Sequence, residues 1–126
     1  MAFVPHQPIP SEVQECISDC QECGSICQET INYCLQMGGK HVEANHLRLL
    51  IDCAEICQAS QNFMLHRSQF EGAICGVCAQ VCQHCAESCA EFTGDSQMQA
   101  CAASCRRCAA SCRRMAEKMP AAAAAM

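Results

Sequence analysis

Cysteines recur along this chain at alternating steps of three and four residues. One set is Cys16, Cys20, Cys23, Cys27 and, after a step of seven, Cys34. A second is Cys53 and Cys57, a third is Cys75, Cys78, Cys82, Cys85 and Cys89, and a fourth is Cys101, Cys105, Cys108 and Cys112. On a helix these steps put every thiol on one face, with successive Cβ atoms ~5–6 Å apart. Two metal–sulfur bonds of about 2.3 Å, the zinc value, span about 4.6 Å, so one ion can bridge each neighbouring pair. Soft thiolates select Cu(I), with zinc and iron–sulfur clusters as competitors. An all-thiolate zinc site needs four sulfurs converging tetrahedrally, usually delivered from loops or knuckles, whereas ladders along helices suit an ion with two ligands. Charge points the same way. A buried thiolate costs several kcal/mol unless neutralised, and one monovalent ion per thiolate leaves no net charge, which predicts about 16 Cu(I) per chain.

Two ordinary uses of cysteine fit less well. As small core filler, thiols replacing nearly every core Leu would leave voids, at ~2–5 kcal/mol for each large-to-small change. As disulfides, neighbours on one helix point their Cβ bonds the same way, a poor match to a torsion near 90°.

The elements that must carry the thiols follow from the same periodicity. Pro10-Ser11 with Gln14 reads as a helix start, and Gly38-Gly39 as its stop. The pattern predicts helices over about 11–37, 41–66, 68–92 and 95–119, the third opened by a Ser68/Glu71 capping box and the fourth capped by Asp95 or Ser96. An N-terminal arm (1–10) precedes them, and an alanine-rich tail (120–126), expected to be disordered, follows. Short connections make sequential helices antiparallel, so the expected fold is all-α: an up-down-up-down four-helix bundle whose a and d core positions hold sulfur. The 126 residues hold 16 Cys but only four Phe, one Tyr and no Trp, so conventional core material is scarce. Charged residues are 17% and the net charge is −5, which argues against nucleic acid or an anionic membrane as partner. The start MAFVPHQPIP reads as neither an export signal nor a membrane span, predicting a cytoplasmic protein whose thiols stay reduced.

The segments CISDCQECGSIC, HLRLLIDCAEIC, CGVCAQVCQHCAESC and CAASCRRCAASC together resemble the cysteine-rich four-helix-bundle copper storage proteins, in particular their cytosolic branch, over essentially the whole chain. The resemblance implies homotetramers of bundles that store many Cu(I) ions along the inside, bound mainly by pairs of thiolates, with one bundle end used for entry. A ferredoxin-type C-x2-C-x2-C-x3-C-P run is absent.

Helix polarity groups Met37, His41, His46 and Met98 at one end of such a bundle. His46 falls on the core seam of the second helix, and Met37 and Met98 extend those of the first and fourth. Imidazole and thioether bind Cu(I) without adding charge, so these four are candidate entry ligands, passing ions to Cys34, Cys89 and Cys101. At the opposite end Val13, Phe63 and Phe70 are expected to form an apolar plug, while His84, off the seam, reads as a surface residue. No nucleophile, base and orienting group assemble into a catalytic set, so no enzyme activity is expected. The rival readings are a zinc or cadmium thiolate buffer and a thiol redox or electron-transfer protein.

Overall fold

The computed structural model describes residues 7–118. Four α-helices fill it: α1 (Ser11–Met37), α2 (Ala44–Leu65), α3 (Glu71–Ala90) and α4 (Ser96–Lys118), with a short 3-10 turn at Gly39–Val42. No strand occurs among the described residues. Each helix packs on its sequence neighbour and α1 closes the ring against α4. Contacts run in opposite senses along neighbouring helices, Cys16 meeting Cys112 and Cys27 meeting Cys101, so the bundle is antiparallel as the connection lengths require.

The helix ends differ from expectation for local reasons. Helix α2 begins at Ala44 rather than near 41, because Gly38 and Gly39 take left-handed φ values of 69° and 57° and the chain then spends a turn in 3-10 geometry. Helix α3 begins at Glu71 rather than Ser68. Ser68 Oγ accepts from the Phe70 N–H at 3.0 Å, and Glu71 turns back to Arg67 at 2.8 Å, so the two residues do not form the reciprocal capping box. Arg67 itself sits at φ 55° and closes α2 in a Schellman motif, its N–H reaching the Met64 carbonyl and the Ser68 N–H that of Phe63. Helix α1 takes Pro10 at its cap position, with no side-chain cap from Ser11, and the Gln14 side chain donates to the Ile9 carbonyl at 2.7 Å. Asp95 caps α4 as expected, accepting from the Met98 N–H at 3.2 Å. The expected tail, Met119 and the first six residues of the expected arm lie outside the described residues.

One buried stripe per helix builds the interior. In α1 it is Val13, Cys16, Cys20, Cys23, Cys27, Thr30 and Cys34; in α2 it is His46, Leu50, Cys53, Cys57, Ser60 and Met64. In α3 it runs from Glu71 through Cys75, Cys78, Cys82 and Cys85 to Cys89, and in α4 from Met98 through Cys101, Cys105, Cys108 and Cys112 to Met115. All of these step by three and four, the seam geometry of bundles. Beside the stripes lie small residues that set how closely the helices approach. A Cβ on Gly24 of α1 would sit 3.5 Å from the Cys57 Cβ of α2, and one on Gly76 of α3 would sit 3.6 Å from the Ala116 Cβ of α4. Ala54, Ala79, Ala86, Ala102 and Ala109 are likewise buried.

The acidic face of α1, which has no basic residue on its own helix, meets the arginines of α4. Arg107 reaches Glu22 at 3.2 Å, Arg114 reaches Glu15 at 3.6 Å, and Lys118 pairs with Glu12. All are exposed, so each contributes about 0–1 kcal/mol and serves register more than stability. Leu50, fully buried one turn from Cys53, is the largest aliphatic side chain completely enclosed in the interior. Leu50→Ala is expected to destabilise the metal-free bundle by about 2–5 kcal/mol, read from urea unfolding followed by circular dichroism.

Candidate metal centre

All sixteen cysteines are free, and all are buried at 0% exposure. Each expected thiol therefore lies in the interior, and twelve of the sulfurs touch in an unbroken run, while Cys34 and Cys75 meet the sulfurs of Met98 and Met64. The run starts at Cys16, 3.6 Å from Cys112, which is 3.6 Å from Cys20; Cys20 is 3.6 Å from Cys108, and Cys108 is 3.8 Å from Cys57. Cys57 meets Cys78 at 3.9 Å and Cys82 at 3.8 Å, and Cys82 meets Cys53 at 3.6 Å. Cys53 leads to Cys23 at 3.8 Å, Cys23 to Cys105 at 3.7 Å, Cys105 to Cys27 at 3.9 Å, and Cys27 to Cys101 at 3.9 Å. Most links join different helices, so the bundle itself, rather than any one helix, arranges the donors.

With metal–sulfur bonds near 2.3 Å, two sulfurs on one ion stand about 4.6 Å apart in line and about 3.8–4.0 Å apart at tetrahedral or trigonal angles. The observed spacings of 3.6–3.9 Å lie at or just below the bent values and well short of the in-line one. Four sets of four sulfurs have all members within 4.8 Å of one another: Cys20, Cys78, Cys108 and Cys112; Cys23, Cys53, Cys57 and Cys82; Cys23, Cys27, Cys53 and Cys105; and Cys57, Cys78, Cys82 and Cys108. These sets overlap. Filling the first excludes the fourth, and the second and third compete for Cys23 and Cys53, so at most two closed four-sulfur sites can coexist. The arrangement suits sulfurs that bridge successive ions.

Burial raises each thiol's affinity for its proton, because a thiolate is poorly solvated here. Cys34, which lies at one end, is pushed up by burial from its ordinary 9.0 to about 11. Deeper in the run, hydrogen bonding between sulfurs dominates. Cys27 is held up by its bond to Cys101, and Cys57 and Cys112 by theirs to Cys108, with burial adding to each. Cys23 and Cys78, stabilised as acceptors by Cys105 and Cys108, are shifted down. Loading a cation into such a run must therefore displace protons.

Two of the expected end ligands adjoin the thiols. His46 is 6% exposed, with Nε2 3.6 Å from Cys34 Sγ and Nδ1 2.7 Å from Ser88 Oγ. Burial lowers its pKa, favouring the neutral ring. With Nδ1–H donating to Ser88, the Nε2 lone pair faces the sulfur, the usual way an outer partner orients a metal-binding imidazole. Met98 is fully buried, its Sδ 3.8 Å from Cys34 Sγ. The other two are placed differently. Met37 is 54% exposed, so it does not extend the α1 seam, because that helix ends at Met37 and Gly38 turns the chain away. His41 lies on the 3-10 turn, where its Nε2 bonds Asp95 Oδ2 at 2.9 Å and its ring packs on Phe92 with centroids 4.4 Å apart. Tyr33 donates to the same carboxylate oxygen at 2.9 Å. Asp95 thus ties α1, the turn and α4 together, and His41 forms part of that tie rather than a thiol contact.

At the far end, Val13 is buried as expected, but Phe70 is 47% exposed and Phe63 only half-buried. The enclosed residues there are Met64, Met115 and Glu71. His84 is exposed and stands 3.8 Å from Glu87, as a surface residue should. Sequence reasoning missed the Ser88 partner of His46 and the Met64 contact with Cys75. The latter was available from the register of α2, which steps from Cys57 by three to Ser60 and by four to Met64.

An interior of soft anionic donors with neutral nitrogen and sulfur donors at its ends defines a soft-metal-binding helical bundle. The chain belongs to the copper storage protein family, whose model matches residues 9–117. Storage of Cu(I) is the function that membership carries. Among solved structures, the chain is similar to the Nmul_A1745 protein of Nitrosospira multiformis, at 50% identity and TM-score 0.80 over 85% of this chain and 96% of that one. It is similar to the Cu(I)-bound copper storage protein BsCsp3, whose apo form is from Bacillus subtilis, at 34% identity and TM-score 0.78 over 84% and 99%. A cytosolic copper storage protein from Streptomyces lividans, in a structure with five coppers, shares 26% identity and TM-score 0.75 over 84% and 92%. No curated protein matches the chain.

The raised Cys34 value gives a signed pH dependence. The fold holds the Cys34 proton more tightly than the unfolded chain does, so its contribution is complete below 9.0 and lost as pH rises through about 11. The thermal midpoint of the metal-free protein should fall across that window under reducing conditions, and this fall should be reduced in Cys34→Ser.

Proposed function

We propose that this chain holds about one Cu(I) per cysteine, roughly 16 per bundle by the neutrality argument, with all sixteen thiolates as ligands. The observation that carries this is the run of sulfur contacts from Cys16 to Cys101, in which most sulfurs have two or more sulfur neighbours on different helices. Doubly bridging thiolates let a univalent ion occupy each gap without leaving buried charge. Storage needs only binding and release, so no substrate is transformed.

The zinc reading draws on the four-sulfur sets, which have suitable spacing for tetrahedral coordination. Their overlap limits closed sites to two, and each filled site would bury a net charge of −2. Anaerobic titration against a chromophoric Cu(I) competitor tests the choice. Saturation near 16 equivalents is expected, and saturation at about four or fewer, the divalent tetrahedral count, would defeat the proposal.

Entry is assigned to the end that carries His46 and Met98. Both are neutral soft donors beside Cys34, and the other rim histidine, His41, is engaged by Asp95. His46→Leu should slow uptake of Cu(I) by about tenfold with nearly unchanged capacity, and Ser88→Ala should do so more weakly, measured by stopped-flow transfer from a donor complex. A cytoplasmic location accords with reduced thiols and with the description of the Streptomyces lividans relative as cytosolic. No helix among the described residues is long and apolar enough to cross a membrane. A homotetramer is proposed from the family resemblance, and the exposed Leu35, Ile51 and Val77 side chains offer apolar surface for it. Sedimentation equilibrium should return four times the 13.7 kDa chain mass.

A further inference from the structure

The end of the bundle remote from His46 carries a second sulfur pairing. Met64 Sδ lies 3.8 Å from Cys75 Sγ, and both residues are fully buried. Cys75 belongs to a group with Cys16 and Cys112 whose sulfurs all lie within 4.8 Å of one another. On the α2 stripe, between Cys57 and Met64, Ser60 is completely buried and its hydroxyl has no hydrogen-bond partner. A fully enclosed polar atom without a partner is costly, and this one lies one turn of α2 from Met64. The same thioether-to-thiol spacing of 3.8 Å occurs between Met98 and Cys34 at the opposite end. Each end of the bundle therefore has a methionine sulfur against a cysteine that lies beyond the run of thiol contacts.

Ligand counting gives that pairing a purpose. In an open filament that begins and ends on a thiolate, with every inner thiolate bridging and every ion held by two sulfurs, there is one fewer ion than sulfur. Such a filament keeps one uncompensated negative charge inside the bundle. One further Cu(I) removes that charge, but it needs a neutral donor for its second bond; the donors of the entry end hold ions in passage, which leaves that role to the other end. A thioether is such a donor, soft and uncharged.

We infer that Met64 is a Cu(I) ligand, closing the filament at the blind end by binding, with Cys75, the ion that brings the bundle to neutrality. This rests on the Cu(I) storage reading. On binding, Cys75 and its neighbours release their thiol protons to solvent, the copper stays cuprous throughout, and Met64 contributes a lone pair without losing a proton. No oxidant or reductant is needed. Leucine would fill the same space but remove the thioether, leaving the terminal ion only thiolates already shared with other ions.

The test uses the full chain with 13C-labelled methionine methyl groups, titrated anaerobically with Cu(I), whose closed d shell keeps the resonances sharp. The Met64 methyl should shift on loading and reach its end point only at full capacity, while that of the exposed Met37 stays fixed. Met64→Leu, which conserves volume, should bind one ion fewer against the chromophoric competitor. Met115→Leu, a buried change at the same end, should keep the full count. The inference is overturned if the Met64 resonance stays at its apo position in the loaded protein, or if Met64→Leu keeps every ion. Saturation of the unsubstituted protein at about four equivalents would instead overturn the storage reading beneath it, an outcome that appears before any substitution is made.

Discussion

The cost of placing anionic sulfur in a desolvated interior governs this molecule. A thiolate enclosed by protein is tolerable only with a cation beside it, so the metal-free bundle must keep its thiols protonated and hydrogen-bonded to one another. The contacts of 3.6–4.0 Å between sulfurs are close enough for such bonds. Replacing a proton by Cu(I), also univalent, preserves the charge balance at each thiol so exchanged. Storage in this fold is thus an exchange of one monovalent cation for another along an existing network, and pH enters through the proton's side of that exchange.

The helices are an instrument for repeating this arrangement. Alternating steps of three and four keep one stripe per helix on the axis, and the antiparallel ring interleaves four stripes so that most sulfur neighbours come from different helices. Non-thiol residues on the stripes fall into two groups. Leu50 and Thr30 lie inward of the His46 end, where Thr30 bonds back to the Ile26 carbonyl at 2.7 Å. His46 with Met98, and Met64 with Met115, stand at the extremities. Composition therefore changes along the axis from thiol to neutral donor or filler as the ends are approached, Glu71 with its Arg67 partner being the acidic exception at the far end, while the other charged residues lie on the outer faces.

Much of this was legible before any coordinates. The cysteine spacing alone implied four helices, the face each turns inward and the chemistry of that face, because a three-and-four repeat has one meaning on a helix. Helix ends were less legible. The delayed starts of α2 and α3 depend on left-handed glycines and on which group Ser68 and Glu71 choose to bond, alternatives that differ by little energy. Met37 misled for the same reason, since extending a seam by register assumes that the helix continues. His41 fits the spacing of an entry ligand, but its partner Asp95 is distant in sequence and became visible only once α1, the turn and α4 met. The pairing of Met64 with Cys75 was within reach, since both positions obey the seam rule.

Gly24, where an added methyl would stand at ordinary contact distance from Cys57, lies with the buried alanines at the helix crossings, and side chains this small let four backbones stand close around the shaft. The distance between opposing sulfurs is therefore dictated from outside the channel, by residues chosen for having almost no side chain. A side chain much larger than alanine at such a crossing would widen the bore without altering one donor atom.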